Sequence, residues 1–451
     1  MHVCTHTMIS ACVCVCVRAV YPSIIRAHNL CWSTLVLSDD VVVAAAAAAA
    51  GGATVAIETI ETHLGTYRWA QGGRRGVLPT MLEKLAAMRK SAKGDLADAK
   101  RRGDTFLASL FDAKQAAIKV VMNSAYGFTG AAKGYLPCVP IAISVTTIGR
   151  AMIEKTRRMA ETLVPDSQVI YGDTDSVFVK LSLPSDAPLA AHFEIAEKLA
   201  EDISATFLPP IKLEFEKVYR VLLLIGKKRY AGLKLTSPDE HPVMDTKGLQ
   251  LCRRDSVPLA RETSAAVLDA FLWRGSVDAA MRCAKDAVLE LVSDLAPFEK
   301  LVLSKQLRGS YANPESQPHW RVAQNIYRRT GQRVPSGSRV PYVIIRAPEF
   351  KGDLVAARAE DPTYATTNGL RLDVLHYLES HMLTPLLTLL TPMLPDADAR
   401  AELLGEPEIA ERIAALRELF DTEARDIKRV RTNAANKQHP ITAFFTKKYA
   451  S

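Results

Sequence analysis

The sharpest change of pattern along the chain falls between residues 169 and 179. Val169-Ile170-Tyr171 and Val177-Phe178-Val179 are short apolar runs of strand-forming residues, separated by Gly172-Asp173-Thr174-Asp175-Ser176. Such runs around a Gly/Asp/Ser turn predict a β-hairpin. Asp173 and Asp175 sit at its tip, two residues apart and therefore on one side, because side chains alternate along a strand. Upstream the period becomes helical. Leu82, Leu85 and Met88 follow Leu78 with the spacing of one apolar stripe. A turn near Arg102-Gly103-Asp104 breaks that stripe, and a second helix is expected over residues 114–126. Two helices joined so closely predict an antiparallel helical hairpin. A loop at Pro137–Pro140, a helix over 149–162 and strands over 211–224 and 228–235 complete this half. From 257 to 430 the pattern is mainly helical, interrupted by a Pro/Gly/Ser loop at 331–341 and a strand at Tyr342–Arg346.

The ends and one insertion follow neither period. Ala11-Cys-Val-Cys-Val-Cys-Val17 is a dipeptide repeat. It would make a strand with cysteines on one face and valines on the other; equally it is what translated repeat DNA looks like. The second reading is adopted, so residues 1–20 are expected to be a non-homologous, repeat-like N-terminus. Residues 38–74 carry an Ala/Gly-rich low-complexity stretch, expected to be an inserted loop. Residues 431–451 are polar and basic and are expected to form a flexible tail.

Composition narrows the partners. A chain of 451 residues has room for several compact units. Its 48% hydrophobic and 24% charged content is that of a soluble globular protein. The net charge of +8 permits a nucleic-acid partner without requiring one. Eight cysteines include no Cys-x-x-Cys pair, so no zinc site, iron–sulfur cluster or disulfide framework is expected, and the compartment reads as reducing. The start has no basic residues ahead of its apolar run, and Val41–Ile57 is too short and Gly-broken to span a bilayer, so neither a signal peptide nor a membrane partner is expected.

Three groups of residues carry chemistry. Paired carboxylates on a rigid turn suit Mg²⁺, a hard ion that keeps several waters and takes the rest of its octahedron from carboxylates and phosphates; a solvated acidic hairpin is the plainer alternative. Lys119, Asn123 and Tyr126 recur at helical spacing on one face, and Arg89 and Lys93 do so on the first helix. Cations presented this way can neutralise a triphosphate during phosphoryl transfer, although a solvated basic face would look the same. Tyr21, ahead of Pro22, is either a rigid aromatic platform at a strand end or ordinary core packing.

Taken together, these pieces resemble family B DNA polymerases, and within that family the eukaryotic replicative branch. Tyr21-Pro-Ser-Ile-Ile-Arg-Ala-His-Asn-Leu-Cys31, Lys119-x₃-Asn123-Ser-Ala-Tyr-Gly127 and Tyr171-Gly-Asp-Thr-Asp-Ser176 are similar to the family's motifs A, B and C, in that order. Leu213-Glu-Phe-Glu-Lys-Val-Tyr219, Lys227-Lys-Arg-Tyr-Ala-Gly-Leu233, Met244-Asp-Thr-Lys-Gly248 and Arg339-Val-Pro-Tyr-Val343 extend the likeness, which covers residues 21–37 and 75–400. The resemblance implies an α+β polymerase right hand, without the family's exonuclease and amino-terminal domains. A mixed palm would take residues 21–37 (a motif A remnant) and 129–235, two-helix fingers 75–128, and a mostly helical thumb 236–430.

It also implies roles. Asp173 and Asp175 would be the catalytic carboxylates and the metal ligands, for two Mg²⁺ ions in an intact site. Tyr21, Arg89, Lys93, Lys119, Asn123 and Tyr126 would hold the incoming deoxynucleoside triphosphate. Lys227, Lys228, Arg229, Lys247, Arg253 and Arg254 would hold the backbone of primer-template DNA, contacts that position without reading sequence. Glu214 and Glu216 alternate onto one strand face as either a peripheral metal site or plain surface charge. The implied reaction is DNA-directed DNA polymerisation, attack of a primer 3′-hydroxyl on the α-phosphate, in a nuclear replication enzyme that can take accessory subunits.

One position departs from the pattern. The family's motif A carries an aspartate five residues before the tyrosine, and here that place holds Cys16; no Asp or Glu precedes Asp39. The two-metal scheme needs carboxylates from two strands, and thiolate is a soft ligand, poorly matched to Mg²⁺. The chain is therefore expected to bind DNA and nucleotide better than it turns them over, as a truncated or mispredicted member of the family. A non-catalytic fragment that binds primer-template and clamp is the alternative. Lastly, Gln438-His-Pro-Ile441-Thr-Ala-Phe444-Phe445 fits a sliding-clamp-binding box. Pro440 suits a first helical turn, and Ile441, Phe444 and Phe445 would form its apolar plug.

Overall fold

The computed structural model describes residues 9–17, 20–37, 56–71, 75–184, 187–347 and 354–448, with side chains described from 12 to 429 apart from Cys252. Among these residues two compact units are distinguished. The first holds Ile9–Val221 with Lys234–Val243, and the second holds Leu222–Leu233 with the chain from Met244 on.

The first unit is built on strands β1 (Ile9–Val17), β5 (Gln168–Asp173), β6 (Ser176–Lys180) and the start of β7 (Leu213–Gly226). With β8 (Arg229–Leu235) and β9 (Val243–Lys247) they give the sheet order β5-β6-β1-β7-β8-β9. Residues 9–17 thus correct the favoured reading of the cysteine–valine repeat as translated repeat DNA and take the other one, a strand with cysteines on one face and valines on the other. β1 pairs antiparallel with β6, Cys12 opposite Lys180 and Cys16 opposite Ser176. A strand in mid-sheet with both faces covered needs apolar side chains on both. Valine supplies one face, and cysteine, which packs as a small hydrophobe, the other. Val13, Val15 and Val17 join a core with Ile24, Ile25, Trp69, Ile141 and Val145, while Cys12 and Cys14 are buried on the opposite face.

After β1 the chain turns into helix α1 (Val20–Ala27), so Tyr21 opens a helix instead of ending a strand. Residues 56–71, expected within an inserted loop, form a hairpin of β3 (Ala56–Thr62) and β4 (Gly65–Gln71), with β2 (Leu35–Val36) on its other edge. Polar hooks secure it. Asn29 donates to the Ala70 carbonyl at 3.0 Å, Gln71 donates to the His28 carbonyl at 2.6 Å, and His28 meets Glu58 at 2.6 Å. Trp69 is fully buried. Emptying such a site typically costs about 3–5 kcal/mol, so this hairpin is part of the core. The stretch 38–55 that carries the Ala run lies outside the described residues.

Helices α2 (Val77–Arg101) and α3 (Thr105–Thr129) form the expected antiparallel pair. α3 starts nine residues ahead of the position expected from sequence because Asp104 caps it, accepting from Leu107 N at 2.9 Å. α4 (Val139–Leu163) likewise begins earlier than the expected 149, since Pro140 stands in its first turn, where the missing N–H costs nothing. α5 (Leu189–Ser204) follows β6.

The second unit contains the outer parts of β7 and β8, most of β9, helices α6 (Pro258–Arg274) and α7 (Val277–Val292), and a small sheet of β10 (Leu303–Gln306), β11 (Arg339–Ile344) and β12 (Ala359–Glu360). β11 begins inside the segment expected to be a loop, because Arg339–Tyr342 pair with Gln306–Leu303. Between β10 and β11 lies α8 (Pro318–Thr330). Its Arg329 grips the buried Glu360 through two bonds of 2.8 and 2.6 Å and stacks on Tyr364. The last helix runs Pro407–Lys448, so the backbone expected as a flexible tail is helical to Lys448. No helix among the described residues is long and apolar enough to cross a membrane.

Candidate active site

The turn between β5 and β6 is tight. Asp173 pairs with Ser176, and Thr174 takes a left-handed φ of 40°, which a non-glycine residue adopts only when its surroundings hold it there. Thr174 Oγ1 donates to Asp173 Oδ1 at 3.1 Å, and Val17 N of the neighbouring strand donates to the Asp175 carbonyl at 2.7 Å. The end of β1 is therefore hydrogen-bonded to the residue that carries the second carboxylate. Cys16, Ser176 and Asp173 lie in one lateral row across β1, β6 and β5.

Electrostatics show what else gathers there. Burial raises the pKa of Asp175; Asp173 and Glu216 raise it further, and Lys119 opposes them. Asp173, Asp175 and Lys119 of α3 therefore share one electrostatic neighbourhood. Glu216, on β7, adds a third carboxylate to it. Cys14 Sγ lies 3.7 Å from Glu216 Oε2, and burial with that carboxylate pushes the Cys14 thiol well up. Glu216 is half exposed, so its charge is partly solvated. Of the pair Glu214 and Glu216 read from the sequence, Glu216 acts on Asp175.

On α3, Lys119 and Asn123 are exposed and Tyr126 is partly covered. The Tyr126 ring stacks on Tyr21, centroids 4.1 Å apart and planes 25° apart, so motif A and motif B residues form one aromatic floor. Burial and Tyr21 raise the Tyr126 pKa, which keeps the hydroxyl protonated. Arg89 and Lys93 are partly covered on α2, and Arg89 donates to Gln115 of α3 at 3.3 Å. This bond ties Arg89 to the second helix.

The expected DNA-binding cations lie in the second unit, all six exposed. Lys227 and Lys228 form the turn between β7 and β8, and Lys228 has φ 61°. That turn sits directly on Gly248, where an added Cβ would lie 2.0 Å from the Lys228 carbonyl. Lys247 is thereby brought beside Lys228. Arg229 and Arg253 line a shared cavity of about 220 Å³ with Gln250, Ser264 and Thr388. Arg253 is held by Asp255 at 3.0 and 2.8 Å, and the Arg254 carbonyl accepts from Arg339 at 2.9 Å. Sequence reading gave Arg339 no part. Its signal was the Arg-Val-Pro-Tyr segment, whose arginine also bonds the Ser304 carbonyl at 2.6 Å and so ties the Arg254 loop to β10. Gln438, Ile441, Phe444 and Phe445 fall on the last helix, with side chains outside the described residues.

To a divalent metal, Asp173 and Asp175 offer hard oxygens. The strand that would supply the second bridging carboxylate carries the thiol of Cys16 at that position, and no group of three or more His, Cys, Asp or Glu among the described residues forms a ready metal cage. The donors suit a single hard ion completed by water and phosphate oxygens. They do not fit a pair of Mg²⁺ ions bridged from two strands.

The carboxylate turn thus lies within electrostatic reach of Lys119, on the same helix whose Tyr126 stacks on Tyr21. The chain belongs to DNA polymerase family B, whose model matches residues 11–393. That match starts within β1, in agreement with its place in the sheet. The chain is 42% identical over 437 residues to a DNA polymerase of Paramecium bursaria Chlorella virus NY2A, covering 95% of this chain and 47% of that protein. It is 38% identical to the DNA polymerase delta catalytic subunit of Caenorhabditis elegans (86% of this chain, 35% of that one) and 39% identical to that of Drosophila melanogaster (86% and 35%). The chain therefore spans between about a third and a half of the length of these relatives.

Proposed function

We propose that this chain is the nucleotide- and primer-binding part of a DNA-directed DNA polymerase acting in nuclear replication, with turnover limited by Cys16. Residues 9–37 and 129–235 serve as palm, 75–128 as fingers and 236–430 as thumb. Lys119, Arg89 and Lys93 take the triphosphate, Tyr21 underlies the sugar, and Asn123 and Tyr126 face the new base pair. Lys227, Lys228, Arg229, Lys247, Arg253 and Arg254 take the duplex backbone. The observation that carries this reading is the electrostatic coupling of Asp175 to Asp173 and to Lys119, on the helix whose Tyr126 stacks on Tyr21. Since the donors do not match two Mg²⁺ ions, the strongest expectation for the chain as it stands is binding.

Binding of a fluorescent deoxynucleoside triphosphate to the chain with primer-template tests it. Lys119→Ala should weaken nucleotide binding roughly tenfold or more, the worth of a hydrogen bond to a charged group. Changing the exposed Lys133 should leave it unaltered. Equal affinities for all three proteins would remove the triphosphate role from α3.

Recruitment to a sliding clamp is the second part of the proposal. Changing Phe444 and Phe445 together to alanine should abolish co-precipitation with the clamp while DNA binding persists, because two apolar prongs of the plug are lost. Unchanged capture would remove the box from the proposal.

A further inference from the structure

The cavity of about 220 Å³ in the second unit has a mouth and a floor of unlike character. Arg229 of β8 and Arg253, which follows the turn Gln250–Cys252, are exposed at its mouth. Ser264 of α6 lines its floor and is only 3% exposed. Leu389, from the helix Leu383–Leu390, gives it a buried apolar wall. We infer that this cavity binds one phosphate group of a small molecule, its oxygens shared between the Arg229 and Arg253 guanidiniums at the mouth and the Ser264 hydroxyl at the floor. The inference goes beyond the polymerase reading, which gives the two arginines to the duplex and gives Ser264 no part.

Ser264 is the observation that calls for a ligand. A serine or threonine inside a helix commonly donates to the carbonyl four residues back. The neighbouring Thr263 does so, to Leu259 at 2.8 Å. The Ser264 hydroxyl is enclosed and has no hydrogen-bond partner among the described residues. A buried O–H left unpaired is costly and uncommon, and an acceptor oxygen inside the cavity removes that cost.

Charge, shape and size name the acceptor. Guanidinium forks match phosphate and carboxylate oxygens. Here the donors approach from opposite ends of the cavity. A planar carboxylate turns both oxygens to one side, whereas a tetrahedral phosphate presents oxygens to mouth and floor together. Asp255 binds Arg253 at 3.0 and 2.8 Å and offsets its charge, so Arg229 supplies most of the attraction. The volume is below the roughly 300–1,000 Å³ of drug-sized sites, which suits inorganic phosphate or a small phosphate monoester. A phosphate within duplex DNA is flanked by its sugars on both sides, which keeps its oxygens from a floor this enclosed.

Calorimetric titration of the full chain with inorganic phosphate, and separately with thymidine 5′-monophosphate, tests the assignment at fixed ionic strength. Both should bind saturably. Ser264→Ala should weaken both about tenfold, the worth of a hydrogen bond to a charged group, and leave primer-template affinity unchanged. If Ser264→Ala weakens primer-template binding instead, the phosphate is that of DNA and the small-molecule assignment is overturned. A measurement on the unaltered chain guards against a variant that misfolds. Inorganic phosphate should slow phenylglyoxal modification of Arg229, mapped by mass spectrometry, and not that of the exposed Arg101. Equal phosphate affinity in folded Ser264→Ala, or modification of Arg229 indifferent to phosphate, overturns the inference and leaves the cavity to water. Primer-template affinity unmoved by Lys227→Ala, with phosphate binding intact, would count against the proposed function alone.

Discussion

Replacing Cys16 with aspartate is expected to raise Mg²⁺-dependent primer extension by roughly 10²–10³-fold, the usual worth of one preorganised group that stabilises charge in the transition state. The substitution is small in volume and falls at the end of β1, where the side chain is only partly covered. The backbone there is fixed by the pairing with Ser176 and by the Val17–Asp175 bond, so a carboxylate would project from a defined place. It would supply the oxygen donor from a second strand that a two-ion centre needs. Single-turnover extension of a labelled primer, at matched primer-template occupancy, is the measurement. If parent and variant bind primer-template equally and neither extends it, the defect lies elsewhere in the chain.

The second large effect is expected at Gly248. Its φ of 66° is in the left-handed region, and a Cβ there would lie 2.0 Å from the Lys228 carbonyl. No flexible side-chain end is involved, so backbone would have to move. Gly248→Ala should destabilise the chain by roughly 2–4 kcal/mol, from left-handed strain plus overpacking. It should also weaken DNA binding by more than any single lysine change, because it displaces the whole Lys227–Lys228 turn relative to Lys247. Denaturant unfolding and the salt dependence of DNA affinity report the two effects separately. Stability and affinity both unchanged would mean that the turn adjusts freely. Gly65→Ala is a useful contrast, since its φ is also positive but nothing lies within 4 Å of the added atom.

Much of the architecture is legible in the sequence. The hairpin at 173–175, the helical pair around Arg102–Asp104 and the strands beginning near 211 and 228 all carry local signals: turn residues at fixed offsets, apolar periods, an Asp cap. Local signals also mislead where they are ambiguous. Pro140 looks like a loop residue but opens α4, because a first-turn proline is tolerated. Residues 56–71 look like the continuation of an insertion but pack through Trp69. The Cys–Val repeat fits a strand or no structure at all, since its meaning depends on what covers the cysteine face.

By itself the sequence determined the kinds of chemistry available: two carboxylates on a turn, cations at helical spacing, and a thiol where an acid was expected. These are properties of residue identity and of spacing within one element, which short-range geometry fixes. Only the tertiary structure decided that Glu216 joins the carboxylate turn and meets Cys14, that Tyr126 stacks on Tyr21, and that Lys228 rests on Gly248. Those pairs lie far apart along the chain. Sheet order and core packing bring them together, and no local period encodes which distant strand or helix will be the neighbour.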